Sequence, residues 1–180
     1  MSRHVCLLRG INVSGHRRVP MKDLRVLFAD LGFQNVETYL QSGNVVFGPS
    51  GSSGDPASRV SSAIKDTFGH EVEVLVFSGP AFNEIASANP ILERSGRDES
   101  FLHVTFLFNS DVSPIPDEEL PTNEGEEALF RNGHYFLYCP SGYGRTKISN
   151  SYFERKLTTS ATTRNWKTVS TLREWSKAED

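Results

Sequence analysis

Residues 5–12 have the sequence VCLLRGIN, an apolar run that ends in a charged, glycine-bearing and polar corner. The four consecutive apolar residues from Val5 to Leu8 are typical of a central β-strand that is covered on its faces. Arg9-Gly10-Ile11-Asn12 then predicts the exit of this strand into a loop. The strand and its exit therefore define the centre of the predicted fold.

The elements that follow predict a β-α-β-β-α-β order for the first half of the chain. Helical spacing of apolar residues indicates a helix that ends at Gly32, and Asp55-Pro56 supplies the N-cap and first turn of another. Ser42-Gly43 predicts a tight turn between two strands. The predicted elements are strands over 5–8, 36–41, 44–47 and 71–77, and helices over 21–31 and 56–68. This order is that of a ferredoxin-like unit.

The second half is predicted to echo the first, with a final helix in place of the last strand. Asn132-Gly133 is a strong hairpin signal, and Thr163 is the predicted N-cap of a C-terminal helix. The other predicted elements are a short helix that ends at 89–90, strands over 101–108, 128–131 and 134–138, a helical turn within 114–121 and a helix over 148–157. We therefore predict an α+β fold with two ferredoxin-like halves, residues 1–78 and 79–180, with antiparallel sheets and a C-terminal helix.

Composition predicts an intracellular, cytoplasmic protein without a membrane anchor. The 180 residues include two cysteines, which we expect to be reduced, and the N-terminus resembles neither a signal peptide nor a membrane span. The net charge of −3 and the pI near 6.0 disfavour a general nucleic-acid coat. Basic residues are nevertheless concentrated in the first 25 and the last 40 positions, around an acidic middle. Nucleic acid therefore stays a possible partner. The sequence does not predict the oligomeric state.

Two polar, glycine-bearing segments are predicted to meet at one edge of the first sheet. In a ferredoxin-like unit, the end of the first strand and the turn between the second and third strands share an edge. The candidate ligand-binding residues are Arg9, Gly10, Asn12, Gln41, Ser42, Gly43 and Asn44, with Arg164 and Asn165 as a further wall. Glycine permits close approach to the backbone, and arginine and amides can bind phosphate or carboxylate. The alternative is architectural: the glycines serve turns, and Arg9 pairs with an internal carboxylate.

Signatures of catalysis and metal binding are incomplete in this sequence. His4 and Cys6 lie two apart on one strand, but no second His or Cys pair has metal spacing, and the nucleophile elbow GxSxG is absent. We expect no cofactor and no metal, and whether the protein is an enzyme stays undecided. The leading hypothesis is a binding protein for a small anion, either a nucleotide or a phosphorylated metabolite. The alternatives are an enzyme acting on phosphoryl or acyl groups and a nucleic-acid or protein interaction module.

Four stretches of the chain closely resemble the family catalogued as domain of unknown function 1697. They are LLRGINVSG (7–15), MKDLRVLFADLGFQNVETYLQSGNVVF (21–47), ANP (88–90) and TTRNWKTVSTL (162–172). The resemblance implies a small bacterial α+β protein built from ferredoxin-like halves, and it implies no activity. The family pattern falls on Arg9, Gly10, Asn12, Ser42, Gly43, Asn44, Thr163, Arg164 and Asn165. The loop 14–18 is more basic than the resemblance leads us to expect, and the Gly/Ser-rich segment 48–54 departs from it.

Overall fold

A computed structural model describes residues 3–177 of the chain. The described part contains strands β1 (His4–Leu8), β2 (Glu37–Tyr39), β3 (Asn44–Phe47), β4 (Val74–Ser78), β5 (Leu102–Leu107), β6 (Glu127–Arg131), β7 (His134–Tyr138) and β8 (Ala161–Asn165). Its helices are α1 (Met21–Asp30), α2 (Pro56–Phe68), α3 (Gly79–Ser87), α4 (Asn150–Leu157) and α5 (Trp166–Ser176). The chain forms two compact units. One comprises the residues up to Asn83 and those from Thr171 onward, and the other is Glu84–Ser170.

The first unit is a four-stranded antiparallel sheet in the order β2-β3-β1-β4. Central strand β1 pairs on one side with β3, where Cys6 faces Val45, and on the other with β4, where Cys6 faces Val76. Helices α1 and α2 bury apolar residues such as Leu24 and Ile64 in the same core cluster as Cys6. The helices therefore cover one face of the sheet, and the predicted β-α-β-β-α-β order is confirmed.

Local sequence signals account for the ends of α2. The Asp55 carboxylate accepts a hydrogen bond from the Ser58 backbone N–H at 2.8 Å and so satisfies a donor at the helix start. Pro56 occupies the first turn, where its missing N–H costs nothing. Gly69 ends the helix in the left-handed conformation at φ 71°.

Residues near both ends of the chain complete the first unit. The buried Arg3 side chain donates hydrogen bonds to the Trp175 carbonyl and the Asn35 carbonyl, both at 2.9 Å. It also forms an ion pair with Glu37 at 2.6 Å. The Tyr39 and Trp175 rings meet edge to face with centroids 5.5 Å apart. The end of α5 thus contributes to the unit that contains β1.

The second unit repeats the same sheet topology in the order β6-β7-β5-β8. The β6–β7 hairpin turns at Asn132 and Gly133, whose φ angles of 51° and 78° are those of a type I′ turn, as predicted. Helix α4 buries Tyr152 and Phe153 against the sheet, and the Tyr135 and Phe153 rings stack with centroids 4.4 Å apart. The protein is therefore an α+β fold in two halves, which confirms the predicted fold class.

The sequence prediction for residues 162–165 is wrong. We expected them to start the last helix with Thr163 as its N-cap, whereas they belong to β8, which pairs antiparallel with β5. The helix begins at Trp166, and the Asn165 side-chain oxygen accepts a hydrogen bond from the Thr168 N–H at 2.8 Å. Asn165 is therefore the capping residue. β-Branched threonines are compatible with an extended strand, and pairing with β5 outweighs the value of Thr163 as a cap here.

Cys6 and Cys139 are both buried, and neither is joined in a disulfide. None of the helices within residues 3–177 combines the length and the apolar character that crossing a bilayer requires.

Candidate functional site

The exit of β1 and the turn between β2 and β3 lie together, as the topology predicts. The Leu8 N–H donates a hydrogen bond to the Gly43 carbonyl at 2.8 Å. A Cβ at Gly43, which has φ 79°, would lie 2.7 Å from the Leu8 Cβ and 2.8 Å from the Ile11 Cδ1. Only glycine fits at this position, because the backbone conformation and the close contact both exclude a side chain.

Asn12 fastens the loop that follows β1 to this edge of the sheet. Its side-chain oxygen accepts a hydrogen bond from the Val19 N–H at 2.8 Å, and its Nδ2 donates to the Val19 carbonyl at 2.9 Å. The same Nδ2 donates to the Gln41 carbonyl at 2.7 Å. The Asn12 amide is therefore engaged with the protein's own backbone, and it closes the loop 12–19 onto the turn 40–43.

Asn44 and Ser42 stabilise the turn from inside. Asn44 is fully buried, and its Nδ2 donates hydrogen bonds to the Tyr39 carbonyl at 2.8 Å and to the Ser42 Oγ at 3.0 Å. Ser42 and Gln41 lie on the exposed side of the turn. Of the predicted site residues, the two asparagines thus build the turn and the loop, while Gln41 and Ser42 face solvent.

Arg9 is engaged with strand β4 through its neighbour Glu73. The Arg9 guanidinium lies 3.0 Å from the Glu73 carboxylate, and the Arg9 backbone N–H donates a hydrogen bond to the Glu73 carbonyl at 3.0 Å. The Arg9 side chain keeps 29% of its surface exposed. Gly10 follows with φ 66°. This ion pair is what we expect if Arg9 has a structural role rather than a ligand-binding one. The guanidinium is nevertheless partly exposed to solvent.

The loop presents basic side chains that the sequence analysis left outside the candidate site. His16, Arg17 and Arg18 are all exposed, and Arg18 has no ion-pair or hydrogen-bond partner among residues 3–177. A short hairpin at 13–16 and several left-handed residues, including Arg17 at φ 47°, shape the loop. We call the surface formed by loop residues 10–20 and turn residues 40–43 the basic corner. The excess of arginine in the loop was the available sequence signal.

Acidic groups near the basic corner are already paired with other cations. The Lys65 ammonium lies 2.8 Å from the Glu71 carboxylate and holds the pKa of that carboxyl below its usual value, and Arg17 adds a smaller effect in the same direction. Glu73 is paired with Arg9. The basic corner therefore carries a net positive charge from Arg17 and Arg18, because the carboxylates of Glu71 and Glu73 are paired with other cations.

Arg164 and Asn165 belong to the second unit, and their side chains form hydrogen bonds with neighbouring residues of β8 and α5. Arg164 is buried, and its Nη1 donates to the Thr162 Oγ1 at 2.7 Å and to the Thr163 carbonyl at 2.9 Å. Asn165 caps α5 through the hydrogen bond to Thr168. These two predicted site residues thus have structural partners within their own strand and helix.

Two further features concern possible metal ligands and the Cys139 thiol. Within residues 3–177, no group of three or more His, Cys, Asp or Glu side chains is placed to hold a metal ion. Burial raises the pKa of the Cys139 thiol to about 11, so this sulfur stays protonated at neutral pH and is a poor nucleophile.

Comparisons with known proteins identify a family and a fold. The family model described as "Protein of unknown function (DUF1697)" matches residues 1–138. A solved structure, that of the conserved bacterial protein SP0830 from Streptococcus pneumoniae, is similar with a TM-score of 0.65 and 23% identity over 98% of this chain and 99% of that chain. At this identity the similarity concerns the fold alone. No curated protein matches the chain.

Proposed function

Because this chain belongs to the DUF1697 family of proteins of unknown function, we propose its function from geometry: it binds a small phosphorylated anion, a nucleotide or phosphorylated metabolite, at the basic corner. The proposal includes a cytoplasmic location, which the two buried cysteines, not joined in a disulfide, support. It also includes a bacterial source, in line with the bacterial origin of the similar structure.

The observation that carries this proposal is the way Asn12 holds the loop. Three hydrogen bonds from one amide fix the loop 12–19 against Val19 and Gln41. Arg17 and Arg18 are exposed on the loop that these bonds fasten, and the Arg17 guanidinium lies beside Gly10. A ligand that binds a preorganised loop loses less free energy to ordering of the protein, so a small anion can bind there with useful affinity.

The chemistry of the exposed side chains favours phosphate. The arginine guanidinium presents a planar fork of N–H donors that matches two phosphate oxygens, and it stays charged at all physiological pH values. Two such groups are adjacent in sequence, and His16 precedes them. The exposed Gln41 amide on the facing turn can supply a neutral hydrogen bond to a sugar or base. The exposed Ser42 hydroxyl, which already accepts a hydrogen bond from Asn44, borders the same surface.

A ligand screen with two matched double variants tests the proposal. The purified protein is screened by thermal shift against nucleotides, sugar phosphates and inorganic phosphate, beside Arg17→Gln/Arg18→Gln. A ligand at 100 times its Kd contributes about 2.7 kcal/mol, so the wild-type midpoint should rise by about 5–10 °C. The control Arg155→Gln/Lys156→Gln removes two exposed charges from helix α4 of the second unit. The shift should vanish in the first variant and persist in the second.

The same screen separates the alternatives. Binding of RNA or DNA that strengthens with strand length and weakens steeply with salt would favour a nucleic-acid module. Conversion of a bound compound, followed by phosphorus NMR, would favour an enzyme. Absence of any shift across the panel, or an equal shift in both double variants, would contradict anion binding at the basic corner.

A further inference from the structure

The first unit contains a cavity of about 180 Å³ at the opposite end of β1 from the basic corner. It lies where β1 begins, where β3 ends and where the Gly/Ser-rich segment leads into α2. The segment borders it with the exposed residues Pro49, Ser52 and Gly54. The chemically distinctive lining residues are His4, Phe33, Phe47, Ser50, Ser52 and Arg59.

Three ring side chains line this cavity: His4, which is half-buried, and Phe33 and Phe47, which are almost fully buried. The Phe33 and Phe47 rings meet edge to face with centroids 4.6 Å apart. The His4 ring stacks on Phe47 at 5.4 Å with an interplanar angle of 20°. Such a wall has the shape and polarisability that a flat, unsaturated ring prefers as a neighbour.

Arg59 adds a positive charge to the lining of this cavity. Its guanidinium lies 4.8 Å from the Phe33 centroid, and it donates hydrogen bonds to the Leu31 carbonyl and, at 3.3 Å, to the Ser50 Oγ. Among residues 3–177, no carboxylate is paired with Arg59. The half-buried guanidinium has five N–H donors, and these two contacts leave three of them without an acceptor among residues 3–177, so they can be reached by a ligand from solvent. A partly desolvated cation without a counter-charge favours an anion at this position.

His4 adds a second group without a partner. Neither ring nitrogen has a hydrogen-bond partner in the described part of the chain, and Nδ1 is shielded from solvent. Unsatisfied polar groups of this kind are uncommon in folded proteins, and binding of a water, an ion or a ligand is one usual explanation for them. His4 and Arg59 thus both line the cavity with unused hydrogen-bonding capacity.

We infer that this cavity binds a small monocyclic aromatic carboxylate, whose carboxylate pairs with Arg59 and whose ring packs against Phe33, Phe47 and His4. The volume agrees with this class, because a cavity of about 150 Å³ holds benzene and pockets for larger ligands start at about 300 Å³. A nucleotide is too large. The site is thus separate from the basic corner, and the two proposals can fail independently.

Three probes that separate charge from ring test the inference. Benzoate carries both features, benzamide keeps the ring without the charge, and acetate keeps the charge without the ring. Each is titrated into the isotope-labelled full chain while backbone amide NMR signals are followed. Benzoate should shift the amides of Phe33, Ser50, Ser52 and Gly54 with a Kd of about 1 mM or tighter. Benzamide and acetate should bind about tenfold to a hundredfold more weakly, since each lacks one of the two interactions.

The variant Arg59→Gln, with Arg25→Gln on helix α1 as the matched control, locates the charge interaction. In Arg59→Gln, benzoate affinity should fall to that of benzamide while benzamide affinity is unchanged. Arg25 donates to the Thr38 Oγ1 and does not line the cavity, so its variant should bind benzoate normally. If Arg59→Gln does not fold, the three wild-type titrations decide alone. Equal affinities for benzoate and benzamide, shifts by acetate as strong as those by benzoate, or no shift at these amides would each overturn the inference.

Discussion

Replacing Gly43 with alanine should destabilise the protein by more than the cost of placing alanine in a left-handed backbone conformation. Gly43 has φ 79°, and a non-glycine residue in the left-handed region costs about 1–2 kcal/mol. In addition, the new Cβ would lie 2.7 Å from the Leu8 Cβ and 2.8 Å from the Ile11 Cδ1. Leu8 and Ile11 are buried, so relief of this overlap requires movement of β1, at about 1–3 kcal/mol for overpacking. The expected total is about 2–5 kcal/mol.

Gly15 supplies the matched control for this prediction. It has φ 78°, and a Cβ there would meet no atom within 4 Å. Gly15→Ala should therefore show the conformational cost alone, about 1–2 kcal/mol. Urea unfolding followed by circular dichroism and by tryptophan fluorescence measures both free energies, and the midpoint temperature of Gly43→Ala should fall by about 5–15 °C. If the two variants lose the same stability, the close contact of the turn with β1 contributes nothing and the reasoning fails.

Two further changes are predicted from contacts that the structure shows. Asn12→Ala removes the hydrogen bonds to Val19 and Gln41 and leaves the Val19 N–H unsatisfied, so the free energy of unfolding should fall by about 1–3 kcal/mol. Because residue 12 has φ 54°, alanine adds a conformational cost of about 1–2 kcal/mol, and an unchanged urea midpoint would show that the amide is dispensable. Burial lowers the pKa of His134 from 6.5 to about 4, and its Nδ1 accepts a hydrogen bond from the Leu107 N–H at 3.2 Å. The unfolded chain therefore binds a proton before the folded one, and stability should fall by on the order of 3 kcal/mol as the pH decreases from about 6.5 to about 4, then level off. His134→Asn should show a flatter pH dependence over this range in urea unfolding, and equal slopes for both proteins would contradict the assignment.

The topology and the meeting of two segments at one sheet edge could be predicted from the sequence. Both follow from periodicity, turn residues and the geometry of a β-α-β-β-α-β unit. Gly43 was recognised as a turn residue for the same reason. Its contact with Leu8 and Ile11 could not be predicted, because the register of the turn over β1 depends on packing between distant residues.

The direction in which polar side chains point was beyond sequence reasoning. An asparagine beside a glycine has the same pattern whether its amide binds a ligand or its own backbone, and Asn12 and Asn44 do the latter. Thr163 has the pattern of an N-cap, yet it lies in β8, because pairing with β5 outweighs the local preference. The cavity near Arg59 escaped prediction since its lining comes from separate segments of the chain.

The contribution of Trp175 to the first unit has a consequence for biosynthesis. The strands of that unit are complete once Ser78 has been synthesised, but the hydrogen bond from Arg3 to the Trp175 carbonyl forms only after residue 175 has been made. The second unit is one continuous segment, Glu84–Ser170, and is synthesised completely before that point. The half that is translated first is therefore finished last, and a truncation before Trp175 removes contacts of the N-terminal sheet.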